Sequence, residues 1–238
     1  VSWFDQTYFE PARGTTPRYE SANSASGRFT PYGGLVFALN EQWSTYASYS
    51  DVFEVQSEPT LSGAPIKPVI GTNYEFGIKG ELAGGRVNTS FAVFRYDHKN
   101  RAVVDPDGLG MCSGSDCSRA AGKVRSQGFE AEVSGGVLRG LQLFGGYTFN
   151  TTKYLQDPEN QGEVFSTWTP KHMLGLWADY KLPGDLSKFS VGGGVNSQSK
   201  ALSFDRSFDV PGFTIWSARA AYQMTPELTL ALNVTKLF

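Results

Sequence analysis

Residues Thr72–Ala83, TNYEFGIKGELA, alternate strictly between two kinds of side chain. From position 74 onward the even positions are apolar or glycine, whereas Glu75, Lys79 and Glu81 lie at odd positions. A period of two is typical of a β-strand with one apolar face and one polar face. This stretch therefore predicts a strand that places its large apolar side chains on one side and its charges on the other.

The same alternation recurs along the whole chain, and no window shows a comparable helical period. It predicts about ten strands, each about ten residues long, at 29–40, 42–55, 72–83, 86–97, 123–133, 141–153, 170–181, 188–200, 212–223 and 227–238. The fold class is therefore all-β.

The connections between these strands alternate in length. Short ones fall at 40–41, 83–85, 134–140, 183–187 and 225–226, and long ones at 56–71, 98–122, 154–169 and 201–211. Outer-membrane barrels combine short periplasmic turns with long extracellular loops, and about 9–11 tilted residues cross the bilayer. A soluble β-sandwich is the alternative, but its strands average about five or six residues. The alternation of short and long connections favours an antiparallel transmembrane β-barrel.

Composition agrees with a barrel wall. The chain of 238 residues has 27 glycines and 14% aromatic residues. Outer-membrane barrels carry aromatic residues in two girdles at the membrane interfaces. Eight aromatics here lie near predicted strand ends: Tyr32, Trp43, Tyr49, Tyr74, Tyr147, Tyr180, Trp216 and Tyr222. The polar faces are expected to line a lumen with Glu75, Lys79, Glu81, Glu130, Glu132, Gln142, Asn150, Asp179, Asn196 and Gln198.

Several function classes are disfavoured. The net charge of −2 and the scattered Lys and Arg argue against nucleic acid. No nucleophile elbow, phosphate loop or metal-spaced His pair is present, so neither catalysis nor a cofactor is expected. Cys112 and Cys117 have no partner ligands for zinc. Four residues separate them in a polar stretch, which suits a small loop disulfide, with two free surface thiols as the alternative.

Six further strings carry information beyond alternation: GRFTPYGGLVF at 27–37, WSTYASYSDVF at 43–53, PVIGTNYEFGIKGE at 68–81, SQGFEAE at 126–132, TPKH at 169–172 and LNVTKLF at 232–238. Together they resemble the barrel of TonB-dependent outer-membrane receptors of the ferric-siderophore type. They occur in order and cover the chain from about residue 27. Thr235 and Lys236 stand where the family more often has a polar residue and Asn.

The resemblance implies a 22-stranded barrel filled by an N-terminal plug that carries the TonB box. Residues 1–238 are then expected to be the C-terminal portion of that barrel, without the plug. Within it, residues 1–28 would be a strand end and an extracellular loop, and residues 29–238 about ten strands.

The function implied by the resemblance is import of a ferric siderophore across the bacterial outer membrane, coupled to TonB through the missing plug. Iron would arrive inside its chelate, so the protein needs no metal site of its own. Outer-membrane lipid and lipopolysaccharide would surround the barrel. No motif transfers the ligand contacts. Position alone suggests the loop-side, lumen-facing residues Tyr96, Asn150, Trp168 and Gln198, with Arg101 or Arg119 as anion contacts.

Two alternatives remain open at this point. A complete ten-stranded barrel enzyme of the outer membrane would use an Asp/His cluster at one rim, and Asp97, His98 and His172 fall near loop-side ends. A passive porin would need only the barrel.

Overall fold

One antiparallel sheet of ten strands dominates the structure. The computed structural model describes residues 2–10, 19–112, 115–203 and 206–237, and side chains from residue 29 onward within those ranges. In chain order the strands are β1 (Ser2–Glu10), β2 (Tyr19–Arg28), β3 (Tyr32–Ala38), β4 (Trp43–Glu54), β5 (Val69–Leu82), β6 (Val87–Val104), β7 (Ser118–Leu138), β8 (Leu141–Gln156), β9 (His172–Lys181), β10 (Phe189–Gln198), β11 (Ala201–Leu202), β12 (Asp209–Val210), β13 (Phe213–Gln223) and β14 (Thr229–Thr235).

Each strand of the large sheet pairs with its neighbour in sequence. The order is β14-β13-β10-β9-β8-β7-β6-β5-β4-β3, and β11 and β12 form a small separate hairpin inside the long connection between β10 and β13. Each of the ten predicted strand windows corresponds to one strand of this sheet, so the all-β, antiparallel prediction is confirmed. Two short 3-10 helices, Pro106–Gly108 and Gly184–Leu186, are the helical elements in the described ranges. No helix there is long and apolar enough to cross a membrane.

Residues 1–28, expected to be a strand end and an extracellular loop, contain β1 and β2, which pair as an antiparallel hairpin. Predicted boundaries further along the chain were wrong. The predicted connection 98–122 is largely strand, because β6 and β7 continue their pairing up to Val104 and Ser118. The turn predicted at 134–140 shortens to two residues, since β7 runs to Leu138. In each case paired backbone extends the strand beyond the region where the side chains alternate clearly.

The two faces of the sheet differ in chemistry, and register keeps each face continuous from strand to strand. On the apolar face, Phe76 pairs with Ala47 of β4 and with Val93 of β6. Large side chains on this face are exposed: Leu35, Phe37, Phe76, Phe91, Val93, Leu176, Val191, Leu230 and Leu232. Few apolar side chains in the described ranges are buried. A sheet with so much exposed apolar surface requires an apolar medium against that face.

Aromatic residues form two bands on the apolar face. Trp43 and Tyr49 lie six residues apart on β4, as do Trp216 and Tyr222 on β13, which is roughly 20 Å along a strand. An apolar band about 25 Å tall between aromatic girdles is the pattern of outer-membrane barrels. Seven of the eight predicted girdle aromatics lie on this face by register, but Tyr32 pairs with Ser50 on the polar face.

Short turns join the strands at one end of the sheet, called here the turn side, and long connections join them at the other, the loop side. The β5–β6 turn shows why glycine is placed there: Gly84 and Gly85 have φ of 69° and 80°, after Ala83 at 53°. Such positive values favour glycine because a Cβ is strained there. The tight turn holds β5 and β6 in register, which positions the polar residues described next.

Candidate ligand-binding site at the loop side of the polar face

The middle of the polar face carries an acidic group of side chains. The Tyr46 hydroxyl donates a hydrogen bond to Glu75, and the Lys79 Nζ atom lies 4.9 Å from the centroid of the Tyr46 ring. Across β6, the Ser90 hydroxyl donates to Glu132 Oε2 at 3.3 Å. Gly77, directly opposite Tyr46, leaves room for that ring. These residues confirm that the charged face predicted from residues 72–83 is shared by neighbouring strands.

An ion pair crosses the polar face further along the sheet. Arg219 Nη1 lies 2.9 Å from Asp179 Oδ2, and it also donates to the Ser190 hydroxyl at 3.2 Å. The three residues lie on β13, β9 and β10, so one arginine links three strands. The polar face is therefore organised by its own contacts.

Three of the predicted ligand contacts lie at the loop side of this face. Asn150 Oδ1 accepts a hydrogen bond from the Ser126 hydroxyl at 2.8 Å. The Tyr96 ring lies edge-on to the His98 ring, with 4.3 Å between centroids. Gln198 ends β10, opposite Met173 and Phe213. All three side chains are partly exposed, which leaves them accessible to a ligand above the sheet.

The other three predicted contacts lie in or beside the long connections. Trp168 is 63% exposed in the connection between β8 and β9. Arg119 is exposed on β7, opposite Val103. Arg101 stacks on Phe165, with 4.6 Å between its guanidinium carbon and the ring centroid. The six residues are thus spread along the loop side: Asn150 lines the cleft beside the β8–β9 connection, and Arg119 lines a separate one.

A cleft of about 380 Å³ opens beside Asn150. It lies between the β8–β9 and β10–β13 connections, and its lining includes Thr167, Lys171 and Lys200. Lys200 is held by Asp209, 2.8 Å from its Nζ atom. The lining combines the Asn150 amide, several hydroxyls and two lysines, one of them paired with a carboxylate, with apolar side chains such as Val164 and Leu202. This mixture suits a ligand rich in oxygen atoms that also has apolar parts.

Sequence reasoning missed the residue that joins these two connections. Arg206 donates to Asn160 Oδ1 and, at 2.9 Å, to the Val164 carbonyl, and its guanidinium lies 5.7 Å from the Tyr154 ring centroid. No local pattern marks an arginine in a polar loop as a cross-loop contact. Lys171 and Lys200 were not predicted as site residues for the same reason.

His98 is a further residue of this region, at the loop side of the long strand β6. Both of its ring nitrogens are buried, and neither has a hydrogen-bond partner among the described residues. Since about ten residues of β6 suffice to cross a bilayer, His98 lies beyond the crossing part. Burial lowers the pKa of His98, and the nearby charge of Arg101 lowers it further.

The geometry does not assemble the Asp/His cluster that a rim enzyme would need. Asp97 and His98 are consecutive in a strand, so they point to opposite faces. Asp97 binds Arg95 and Arg125 instead. His172 Nδ1 lies 2.7 Å from the Tyr147 hydroxyl on the apolar face. Within the described ranges no group of three His, Cys, Asp or Glu side chains is placed to hold a metal ion.

The tip of the β6–β7 hairpin carries the predicted disulfide. Cys112 and Cys117 are joined, and Cys117 is fully buried. The disulfide prediction is therefore confirmed, and the alternative of two free thiols is wrong.

The exposed apolar face with two aromatic bands, the polar opposite face and the alternation of turns and loops define a transmembrane β-barrel wall of the bacterial outer membrane. The sequence matches the family described as TonB dependent receptor-like, beta-barrel, over residues 1–237. The chain belongs to this family, which is one of transport receptors, and the resemblance and the outer-membrane location predicted from the sequence are confirmed.

Individual relatives agree with the family match. The ferric-pyoverdine M114 receptor PbuA of Pseudomonas sp. strain M114 is 39% identical over 248 residues, covering 100% of this chain and 29% of that protein. The ferripyoverdine receptor of Pseudomonas aeruginosa is 37% identical over 225 residues, covering 90% and 27%.

A solved structure shows the same fold. The crystal structure of the Pseudomonas aeruginosa outer-membrane ferripyoverdine receptor bound to ferripyoverdine superposes with a TM-score of 0.80 at 34% identity, covering 93% of this chain and 30% of that one. The chain thus spans less than a third of the length of these relatives.

Proposed function

We propose that the chain is the C-terminal portion of the barrel of a receptor that binds a ferric siderophore and imports it with energy supplied through TonB. The polar face then lines the lumen, and the loop side faces the cell exterior. Support comes from the relatives, which are named ferric-pyoverdine receptors, and from the match to a receptor solved with ferripyoverdine. A pyoverdine-type chelate is accordingly the proposed ligand.

The cleft beside Asn150 is the observation that carries this proposal. A ferric siderophore presents oxygen donors wrapped around the metal and a polar, often anionic, periphery. Asn150, Lys171 and Lys200 line the cleft and offer hydrogen-bond donors to that periphery. No group on the protein needs to touch iron, because the chelate keeps it. The protein therefore acts by binding and releasing an intact complex.

The acidic group around Glu75 fits a barrel whose lumen is filled. Glu75, Glu130 and Glu132 share the polar face with Lys79, so this part of the wall carries more negative than positive charge. A plug with basic groups opposite these carboxylates would be held by charge. Movement of such a plug under TonB would require those contacts to break, which links the wall to the transport step.

Equilibrium binding to the complete receptor tests the proposal. Asn150→Ala is expected to weaken binding of ferric pyoverdine about fivefold or more, because a hydrogen bond to a polar ligand is lost. Thr151→Ala is the matched control, since the adjacent residue points to the apolar face. Unchanged affinity in Asn150→Ala would place the ligand elsewhere, and no binding of the chelate by the unaltered receptor would overturn the proposed function.

A further inference from the structure

Five basic residues form a cluster on the apolar face at the loop side, called here the outward basic cluster: Arg95, Lys99, Lys123, Arg125 and Lys153. Register places them together, because Lys99 pairs with Lys123, and Arg125 pairs with both Asp97 and Lys153. Arg95 lies opposite the girdle residue Tyr74. The cluster therefore belongs to the face that meets the membrane and not to the lumen.

The charge of the cluster is only partly balanced. Asp97 is the acidic residue within it, and both arginines already bind that carboxylate, at 2.8 Å from Arg95 Nη2 and 2.6 Å from Arg125 Nε. Arg95, Lys99, Lys123 and Lys153 are exposed. No carboxylate of the described residues lies within ion-pair distance of the three lysines. Several positive charges thus remain to be matched by something outside the sheet.

Aromatic side chains mark the depth of the cluster in the membrane. Phe129 and Phe149 lie in contact on the same face, with 5.5 Å between centroids, and Tyr147 packs against Phe129 at 5.7 Å. Arg125 lies four residues beyond Phe129 on β7, which is roughly 13 Å along the strand. Since aromatic girdles sit at the level of the lipid headgroups, the cluster lies at or just above that level.

We propose that the outward basic cluster binds the phosphate groups of an anionic lipid of the outer leaflet, whose acyl chains lie against the aromatic band below. Charge complementarity selects this occupant: the lysines supply unpaired ammonium groups, and the band supplies apolar surface directly beneath them. A phosphorylated lipid contacts both surfaces at once, the lysines through its phosphates and the aromatic band through its acyl chains. A free phosphate ion contacts only the lysines. The placement rests on the proposed outward orientation of the loop side.

The arginine pair has a positioning role in this site. Asp97 holds both arginines in place. It accepts one hydrogen bond from Arg95, at 2.9 Å, and two from Arg125, at 2.6 and 3.3 Å. Their remaining N–H groups are then presented at fixed positions beside Lys153 and Lys123. The lysines are the residues to alter in a test, because removing them leaves the Asp97 network intact.

Binding of bisphosphorylated lipid A to the purified complete receptor in detergent provides the test. Lys123→Gln/Lys153→Gln is expected to bind this lipid roughly 25-fold more weakly, because each Lys near an anionic surface contributes about a factor of five. Lys181→Gln/Lys188→Gln removes the same charge from exposed positions at the turn side, and is expected to change affinity less than twofold. Lipid A stripped of its phosphates is expected to bind weakly to all three proteins.

Three results would overturn the proposal. The first is equal lipid A affinity in the cluster variant and the unaltered receptor. The second is a loss of lipid A affinity in the turn-side control as large as that in the cluster variant. The third is full displacement of the lipid by millimolar inorganic phosphate, which would assign the site to the free ion. Ferric pyoverdine affinity, measured on the same samples, is expected to stay unchanged in the cluster variant. A receptor that binds lipid A as expected but never binds the chelate would refute the proposed function and leave the lipid site standing.

Discussion

The guanidinium of Arg101 lies over the ring of Phe165, 4.6 Å from its centroid, and joins strand β6 to the connection between β8 and β9. Phe165 in turn packs edge-on against Tyr154 of β8, at 5.3 Å. Three separate parts of the loop side therefore meet at one aromatic ring. Arg101, for which an anion contact was predicted, thus has a structural contact within the protein.

Loss of this stacking should loosen the β8–β9 connection. A cation–π contact at an exposed site contributes about 0.5–1 kcal/mol, so Arg101→Gln and Phe165→Leu should each raise protease cleavage within residues 157–171 roughly two- to fivefold. The double variant should cleave no faster than Phe165→Leu alone, because the arginine has no ring left to stack on once Phe165 is replaced. Arg119→Gln, an exposed arginine of the adjacent strand, is the control and should cleave at the original rate.

Gly77 should not tolerate a side chain. A Cβ there would lie 2.5 Å from Cε1 of Tyr46, so Gly77→Ala must displace the ring that binds Glu75. Overpacking of this kind costs about 1–3 kcal/mol, and the thermal unfolding midpoint of the complete receptor in detergent should fall. Gly146→Ala, also on the polar face but with no heavy atom within 4 Å of the new Cβ, should leave the midpoint unchanged. Equal midpoints for both variants would contradict this account of Gly77.

Reduction of the Cys112–Cys117 bond should act locally. The bond closes a small ring at the hairpin tip, and such short rings contribute at most a few kcal/mol. Hydrogen exchange of residues 105–118 should therefore speed up on reduction, while exchange in β4 and β5 should not change. Cys112→Ser/Cys117→Ser should reproduce the reduced pattern without added reductant. Faster exchange throughout the sheet would show that the bond supports the barrel and not the tip alone.

Acid should weaken the loop side through His98. Its folded pKa is lowered by burial and by Arg101, so below about pH 6.5 the unfolded chain takes up the proton first and stability falls. His98→Gln is neutral at every pH and should remove this part of the pH dependence. The measured quantity is the equilibrium constant for unfolding of the native protein divided by that of His98→Gln. This ratio should be constant above pH 7 and should rise as the pH falls toward 5. A ratio independent of pH would refute the role of His98.

The 238-residue chain by itself should aggregate in detergent. The outer edges of β3 and β14 have no partner strand among the described residues, and every residue of both strands is exposed. Lipid cannot satisfy free backbone N–H and C=O groups at such an edge. Size-exclusion chromatography should show large assemblies, and a monodisperse, heat-resistant monomer would contradict the expectation.

Much of the fold was predictable because membrane strands repeat one chemical rule. Within the membrane the strands offer lipid mainly apolar side chains or glycine at every second position, as residues 74–82 do, so alternation alone located all ten. Above the membrane that rule no longer applies, and β6 and β7 were predicted too short. Their upper parts are held by backbone pairing, as between Ala102 and Ala120, where polar and apolar side chains do not alternate, so the strand leaves little trace in the sequence.

The candidate site was less predictable, and Asn100 shows why. It has a φ of 62° and is skipped in the pairing of β6 with β7, so it forms a bulge. A bulge shifts the alternation by one residue and re-aims the side chains beyond it. Lys99 therefore stays on the apolar face while Arg101 reaches Phe165. The contacts of Arg206 likewise depend on where two loops meet in space, which no local pattern records.

The tip of the β6–β7 hairpin contains most of the contacts that shape it. Cys112 and Ser115 exchange two backbone hydrogen bonds of 2.9 Å, the Gly110 amide donates to Asp116, and Cys117 closes the ring against Gly108. Leu109 and Met111 are exposed at its surface. A short peptide covering residues 105–117, cyclised through its two cysteines, contains all of these partners. With the loop side facing the cell exterior, as proposed above, we expect antibodies raised against this peptide to bind the receptor on intact cells.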